Sequence, residues 1–195
     1  MNFVRARKYI LERLKNDLPP QYHYHSIDHT KDVLSAAKRI AKREGISGDD
    51  LILLKTAVLY HDAGFIIQSD GHEKIGCGIA KKILPVYNYN SAQINKICGM
   101  IMATKIPQQP HNLLEEIICD ADLDYLGRND YSRVSNFLFL EMSKISKVEE
   151  IDWLKIQVSF LKTHKYFTKT SIAERNEKKQ KNLQLLTEKL NKRIQ

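Results

Sequence analysis

The sequence holds little of what disulfide-stapled, zinc-ribbon and membrane proteins are built from. Its 195 residues include three cysteines, Cys77, Cys98 and Cys119, an odd number at wide spacing. That argues against a disulfide framework or a Cys-rich zinc site, and for a reducing cytoplasm. No apolar run approaches the ~18 residues of a membrane span. The opening Met1-Asn2-Phe3-Val4-Arg5-Ala6-Arg7-Lys8 is charged throughout and has no signal-peptide core. There is no P-loop and no G-x-S-x-G elbow, which excludes the common phosphate-cradling and serine-hydrolase motifs. His72-Glu73 lacks the second histidine of H-E-x-x-H, and no cysteine pair precedes His25 and His29, so zincin and zinc-finger readings fail. The H-x-E and P-C-x-x-C pair of the zinc deaminases is also missing.

What is present is an ordinary globular composition, 43% apolar and 28% charged, with a formal net charge of +8. The charge is uneven: residues 162–195 carry ten Lys/Arg against Glu174, Glu177 and Glu188, a net +7, which leaves the rest almost neutral. Such a tail attracts polyanions or phosphorylated substrates, although a solvated helix surface accounts for it as well.

Apolar positions recur with helical period nearly everywhere, and no stretch alternates as a strand. Phe3, Ile10, Leu14 and Leu18 form the stripe of a first helix stopped by Pro19-Pro20. A second helix is expected from Ser26 to Gly45, and a third opens at a capping box, Ser47-Gly-Asp-Asp50. Asp70-Gly-His-Glu73 is expected to cap a fourth, in which Gly76 and Gly78 each cost ~1 kcal/mol relative to Ala unless another backbone approaches closely. Further helices are expected over 91–103, from Asn112 to Leu126-Gly127, around 130–145 and 149–165, and over 171–194 with Leu183, Leu186 and Leu190 inward. No repeat or linker interrupts the pattern. The expectation is an all-α fold in which residues 1–195 form a single domain, with a core at 20–127 and C-terminal helices 130–195 packed on it.

Four acidic and histidine positions end apolar runs. His61-Asp62 closes the run from Leu51 to Tyr60, and Asp122 and Asp124 close the run from Leu113. A buried carboxylate is expensive unless paired or metal-bound. Helices delivering a His-Asp pair and an Asp to one place are what a mixed N/O metal site requires. Such a set suits Mn, Fe, Ni, Co or Zn, and Mg less readily.

The order of these residues carries more weight than any one of them. The chain reads Tyr24-His-Ser-Ile-Asp-His29-Thr-Lys-Asp-Val33, then Leu59-Tyr-His61-Asp62, then Cys119-Asp-Ala-Asp122-Leu-Asp-Tyr-Leu-Gly127. This resembles the HD-domain superfamily of metal-dependent phosphohydrolases, whose pattern is H…HD…D on a helical bundle. The resemblance spans most of residues 20–127 and includes Gly71-His-Glu-Lys-Ile-Gly-Cys-Gly-Ile-Ala80. It implies that His29, His61, Asp62 and Asp122 hold one divalent metal ion. His29 is preferred to His25 because it lies four before Val33, and Asp122 to Asp120 because it stands between Ala121 and Leu123. Ala103-Thr104 stand where two-metal members have a further histidine, so a single ion is implied and the di-iron oxygenase alternative is disfavoured. The acid of the family's H-D-x-x-E variant is missing from His61-Asp-Ala-Gly-Phe65, so a proton donor must come from elsewhere.

The implied reaction is hydrolysis of a small phosphorylated substrate, a nucleotide or related phosphate ester, by a metal-activated water. Asp62 is a candidate to orient that water, and His72 to stabilise phosphate charge. Lys74 and Lys105 are candidate phosphate clamps, and His25 is a candidate substrate contact. His164 is expected at the surface or over the pocket mouth, and His23 and His111 at the surface. Two alternatives remain open at this point: an HD module that senses a nucleotide without turnover, and nucleic-acid binding through the basic C-terminal helix. No membrane partner is expected.

Overall fold

The computed structural model describes residues 1–194, and among them every regular element is helical. Helix α1 (Phe3–Asp17) starts where the Asn2 side chain accepts from the Arg5 amide, and it buries Ala6, Ile10 and Leu14. Helix α2 (Ile27–Arg43) is capped by Ser26 and buries Val33, Ala37, Ile40 and Ala41. Helix α3 (Gly48–Tyr60) is apolar almost all round, with Leu53, Leu54, Ala57, Val58, Leu59 and Tyr60 buried. That pattern marks the central helix of a bundle. The capping box expected at its start does not form: Ser47 makes no side-chain hydrogen bond there.

Helix α4 (His72–Ile83) is likewise not capped by Asp70. It follows Gly71, whose φ of +65° suits a residue without Cβ. Gly76 shows the expected close approach, since a Cβ there would lie 2.9 Å from the carbonyl oxygen of Tyr60. Gly78 does not, because nothing lies within 4 Å of its Cβ position. Helix α5 (Ser91–Ala103) opens with a complete capping box between Asn90 and Gln93.

Helix α6 (Leu113–Asp122) ends five residues sooner than its apolar pattern predicts. The chain tightens into a 3-10 turn at Asp124–Gly127 that packs on helix α9 (Lys169–Ile194). Gly127 permits that packing, since a Cβ there would clash with the Arg175 backbone. Helix α9 starts two residues earlier than its stripe predicts, where Thr168 Oγ1 accepts from the Ser171 amide. Helices α7 (Tyr131–Ile145) and α8 (Glu150–Thr163) complete the chain.

Two apolar clusters hold the fold. The larger joins α1 through α6 around α3. The smaller gathers Tyr24, Leu123, Tyr125, Leu126, Tyr131 and Leu161, with Leu183 and Leu186 of α9 packed against it. The leucine stripe of the last helix therefore packs on its own chain. Part of the basic tail turns inward as well: Lys179 is buried and donates to the His164 carbonyl, and Arg175 pairs with Asp124. Cys77, Cys98 and Cys119 are free and buried. No described helix is long and apolar enough to cross a membrane.

Candidate metal centre

Three helices deliver the imidazoles and carboxylates to one point. Ser26 caps α2 by accepting from the amide of His29, which places that imidazole in the first turn. The apolar α3 ends at His61, and its buried ring donates from Nδ1 to the Val58 carbonyl at 2.7 Å. With the ring neutral, as a metal ligand must be, that bond leaves the Nε2 lone pair facing Asp62 and Asp122. Helix α6 ends on Asp122.

The resulting distances suit one coordination sphere. His29 Nε2 lies 3.1 Å from Asp122 Oδ1 and 3.4 Å from Asp62 Oδ2. His61 Nε2 lies 3.2 Å from Asp62 Oδ2 and 3.5 Å from Asp122 Oδ1. Two donors about 2.1 Å from a common ion, at octahedral to tetrahedral angles, stand about 3.0–3.4 Å apart. The donor atoms of His29, His61 and Asp122 all fall within 4.8 Å of one another. Two buried atoms, His61 Nε2 and Asp62 Oδ2, have no hydrogen-bond partner among the described residues. Orphaned buried groups facing each other across such a gap are what an ion would satisfy. The residues present fit a divalent metal.

Electrostatics point the same way. In the metal-free chain burial alone would raise the Asp62 carboxyl, but the adjacent His61 imidazole, itself shifted toward its protonated form by the two carboxylates, holds it far below the ordinary carboxylate range. Asp122 is likewise raised by burial and lowered by the hydrogen bond from His29 and the proximity of His61. Both carboxylates are thereby kept ionised, as ligands must be.

A cavity of about 220 Å³ opens from this cluster and runs beneath α7 and α8. His25, Asp62, His72, Glu73 and Asp122 line its inner end. His72 Nδ1 donates to the Ser69 carbonyl, and its Nε2 lies 3.6 Å from Asp62 Oδ1 and 3.7 Å from Glu73 Oε1. His25 stacks on Phe65 at 4.0 Å and donates to Glu141. Glu141 also accepts from the backbone amides of Tyr24 and His25.

The other expected residues are distributed differently. Lys74 and Lys105 are exposed, and neither lines the cavity. Of the three neighbouring aspartates only Asp122 faces the imidazoles. Asp120 accepts from the Phe167 and Thr168 amides and the Thr168 hydroxyl, while Asp124 pairs with Arg39 and Arg175. His23 meets Lys144 at the surface, and His111 is exposed. His164 is half-buried rather than exposed: its Nε2 is covered, its ring packs with Phe160 and Tyr166, and burial with the Lys179 charge pushes its pKa down to about 3. Sequence reasoning passed over Glu73 as a functional group, yet it is a buried carboxylate on the cavity wall. Its only signal was its place directly after His72.

Comparison with known proteins agrees with this geometry. A family model, the HD domain, matches residues 26–124, about half of the chain. The fold is similar to that of a predicted HD superfamily hydrolase from an uncultured Thermotogales bacterium, at 20% identity and TM-score 0.60 over 98% of this chain and 90% of that one. It is similar also to a protein from Lactobacillus plantarum, at 16% identity and TM-score 0.68 over 97% of each chain. At these identities the likeness is one of fold. No curated protein matches the chain.

Proposed function

The chain belongs to the HD domain family, and from that premise we propose that it is a metal-dependent phosphohydrolase acting on a nucleotide or related small phosphate ester. The observation that carries the reading is the pair of orphaned buried atoms, His61 Nε2 and Asp62 Oδ2, at the end of a cavity large enough for a small ester. His29, His61, Asp62 and Asp122 would hold a single divalent ion. Bound there, such an ion lowers the pKa of a coordinated water from ~15.7 toward ~7 and draws charge from phosphoryl oxygens.

The remaining steps fall to side chains. Asp62 Oδ1, turned toward His72, is available to accept a hydrogen bond from the attacking water. His72, anchored through Nδ1 to Ser69, directs Nε2 toward the cavity end and, when protonated, donates to a phosphoryl oxygen. Glu73 supplies the carboxyl group that the run His61–Phe65 lacks, and it would pass a proton to the leaving oxygen. His25, fixed by Phe65 and Glu141, borders the ester's path. Three free cysteines agree with action in a reducing cytoplasm.

The test is metal analysis of protein purified without chelator, followed by a turnover screen with Mn²⁺, Ni²⁺ and Mg²⁺. About one ion per chain and ion-dependent phosphate release are expected. Full turnover in His61→Ala or Asp62→Ala would overturn the proposal.

A further inference from the structure

The cavity has a composition of its own beyond its inner end. Its far wall is made by Leu126, Leu138, Met142, Trp153, Phe160 and Leu161. Among the described residues no lysine or arginine lines it. A polyphosphate needs cationic partners for each charged group, and sugar hydroxyls need polar ones. The polar groups at the far end are largely committed to each other: Gln157 Oε1 accepts from the Tyr131 hydroxyl at 2.7 Å and from the Ser135 hydroxyl at 2.6 Å. Only the Gln157 amide N–H₂ is left there, enough for one acceptor atom on a ligand's rim.

Size narrows the choice further. An apolar cavity of about 150 Å³ admits benzene. The 220 Å³ present here holds one ring with a short chain in full, whereas a nucleoside with its base and sugar would extend past it. Resting on the hydrolase reading, we propose that this cavity seats the alcohol portion of the substrate, and that the substrate is a phosphate monoester of a compact apolar alcohol.

Trp153 is the only tryptophan of the chain and lies in the cavity wall, so its emission reports on occupancy without turnover. Benzyl alcohol, which is optically silent when tryptophan is excited selectively, is titrated into the metal-free protein. In parallel, the Mn²⁺-loaded protein is assayed with benzyl phosphate, methyl phosphate, a nucleoside 5′-monophosphate and a nucleoside triphosphate. The three monoesters are esters of unbranched primary or methyl alcohols, so leaving-group reactivity is broadly matched. A saturable change in Trp153 emission is expected, with kcat/KM for benzyl phosphate at least about tenfold above each of the others. Leu138→Phe combined with Met142→Phe fills the space and should lower benzyl alcohol affinity and benzyl phosphate kcat/KM by at least about tenfold, metal content being unchanged. No emission response to benzyl alcohol, or faster turnover of a nucleotide than of benzyl phosphate, overturns the proposal. If Trp153 responds but no ester is hydrolysed with any ion, the cavity still binds a compact apolar alcohol, while the hydrolase reading falls and the ester substrate with it.

Discussion

His61 and Val58 are joined by a hydrogen bond of 2.7 Å in which the imidazole Nδ1–H donates to a carbonyl three residues earlier. This orients the ring before any ion arrives and presents Nε2 to the two carboxylates. The first prediction follows from that preorganisation. Metal at a hundredfold excess over its dissociation constant should stabilise the protein by ~2.7 kcal/mol, seen as a higher Tm. In His61→Ala and Asp62→Ala the gain should vanish along with bound metal, while far-UV circular dichroism stays helical. A metal-induced Tm rise that persists in both variants would refute the ligand set.

Glu73 separates proton donation from metal binding. Glu73→Gln keeps the shape and removes the ionisable group, so kcat should fall by about 10²–10⁴. Metal stoichiometry should not change. A kcat near that of the parent would assign the proton to another donor, water included.

Two glycines give opposite expectations for one substitution. A Cβ on Gly64 would stand 2.0 Å from the carbonyl oxygen of His72, so Gly64→Ala must displace the start of α4. A loss of about 1–3 kcal/mol is expected, with impaired turnover because His72 moves. Gly78 lies inside α4 with open space at its Cβ position, and Gly78→Ala should gain about 0.5–1 kcal/mol. Urea denaturation of the pair measures both.

His164 predicts a pH dependence of stability. Its folded pKa is depressed to about 3, first by burial and then by the charge of Lys179. Between the ordinary value of about 6.5 and that depressed value, the unfolded chain binds a proton that the folded one refuses. Stability is therefore full above about pH 6.5 and declines as pH falls, by up to ~1.4 kcal/mol per unit from this group. His164→Phe keeps the packing with Phe160 and Tyr166 and removes the unpartnered Nε2. Urea midpoints at pH 7 and pH 5 should differ less in the variant than in the parent.

Asp120 and Asp122 should respond in opposite ways to the same change. Asp120→Ala leaves the Phe167 and Thr168 donors unmet, at a cost of about 1–3 kcal/mol each where buried, and leaves metal binding in place. Asp122→Ala should abolish metal binding with a smaller effect on folding. Isothermal titration with Mn²⁺ and urea melts distinguish them.

The helices and their stripes were legible because apolar spacing reports directly which face is buried, as with Ile10 and Leu14 or Leu183 and Leu186. Caps were less legible. Ser47 and Asp70 have the right chemistry, but a cap also needs a side-chain rotamer and backbone angle that spacing does not encode; the side-chain caps sit at Asn2, Ser26, Asn90 and Asn112, of which Ser26 and Asn112 stand where the apolar pattern starts their helices. The order of His29, His61, Asp62 and Asp122 was plain in the sequence, whereas their meeting depends on α2, α3 and α6 packing together. Lys74 shows why charge alone misleads: two residues after His72 on a helix, it is turned by about 200°, away from the cavity. Glu73 and His164 were misjudged for the converse reason. Their surroundings are completed by packing that spacing does not report, the cavity wall for Glu73 and Lys179 of α9 for His164.

The last turn of α6 carries two attachments. Asp120 grips the junction between α8 and α9, and two residues on, Asp122 faces the imidazoles. Any occupant that levers α8 outward therefore pulls on the same short stretch that sets Asp122. Were the cation seat and the apolar chamber coupled through that stretch, ion and ligand would each shift the other's affinity by the same factor.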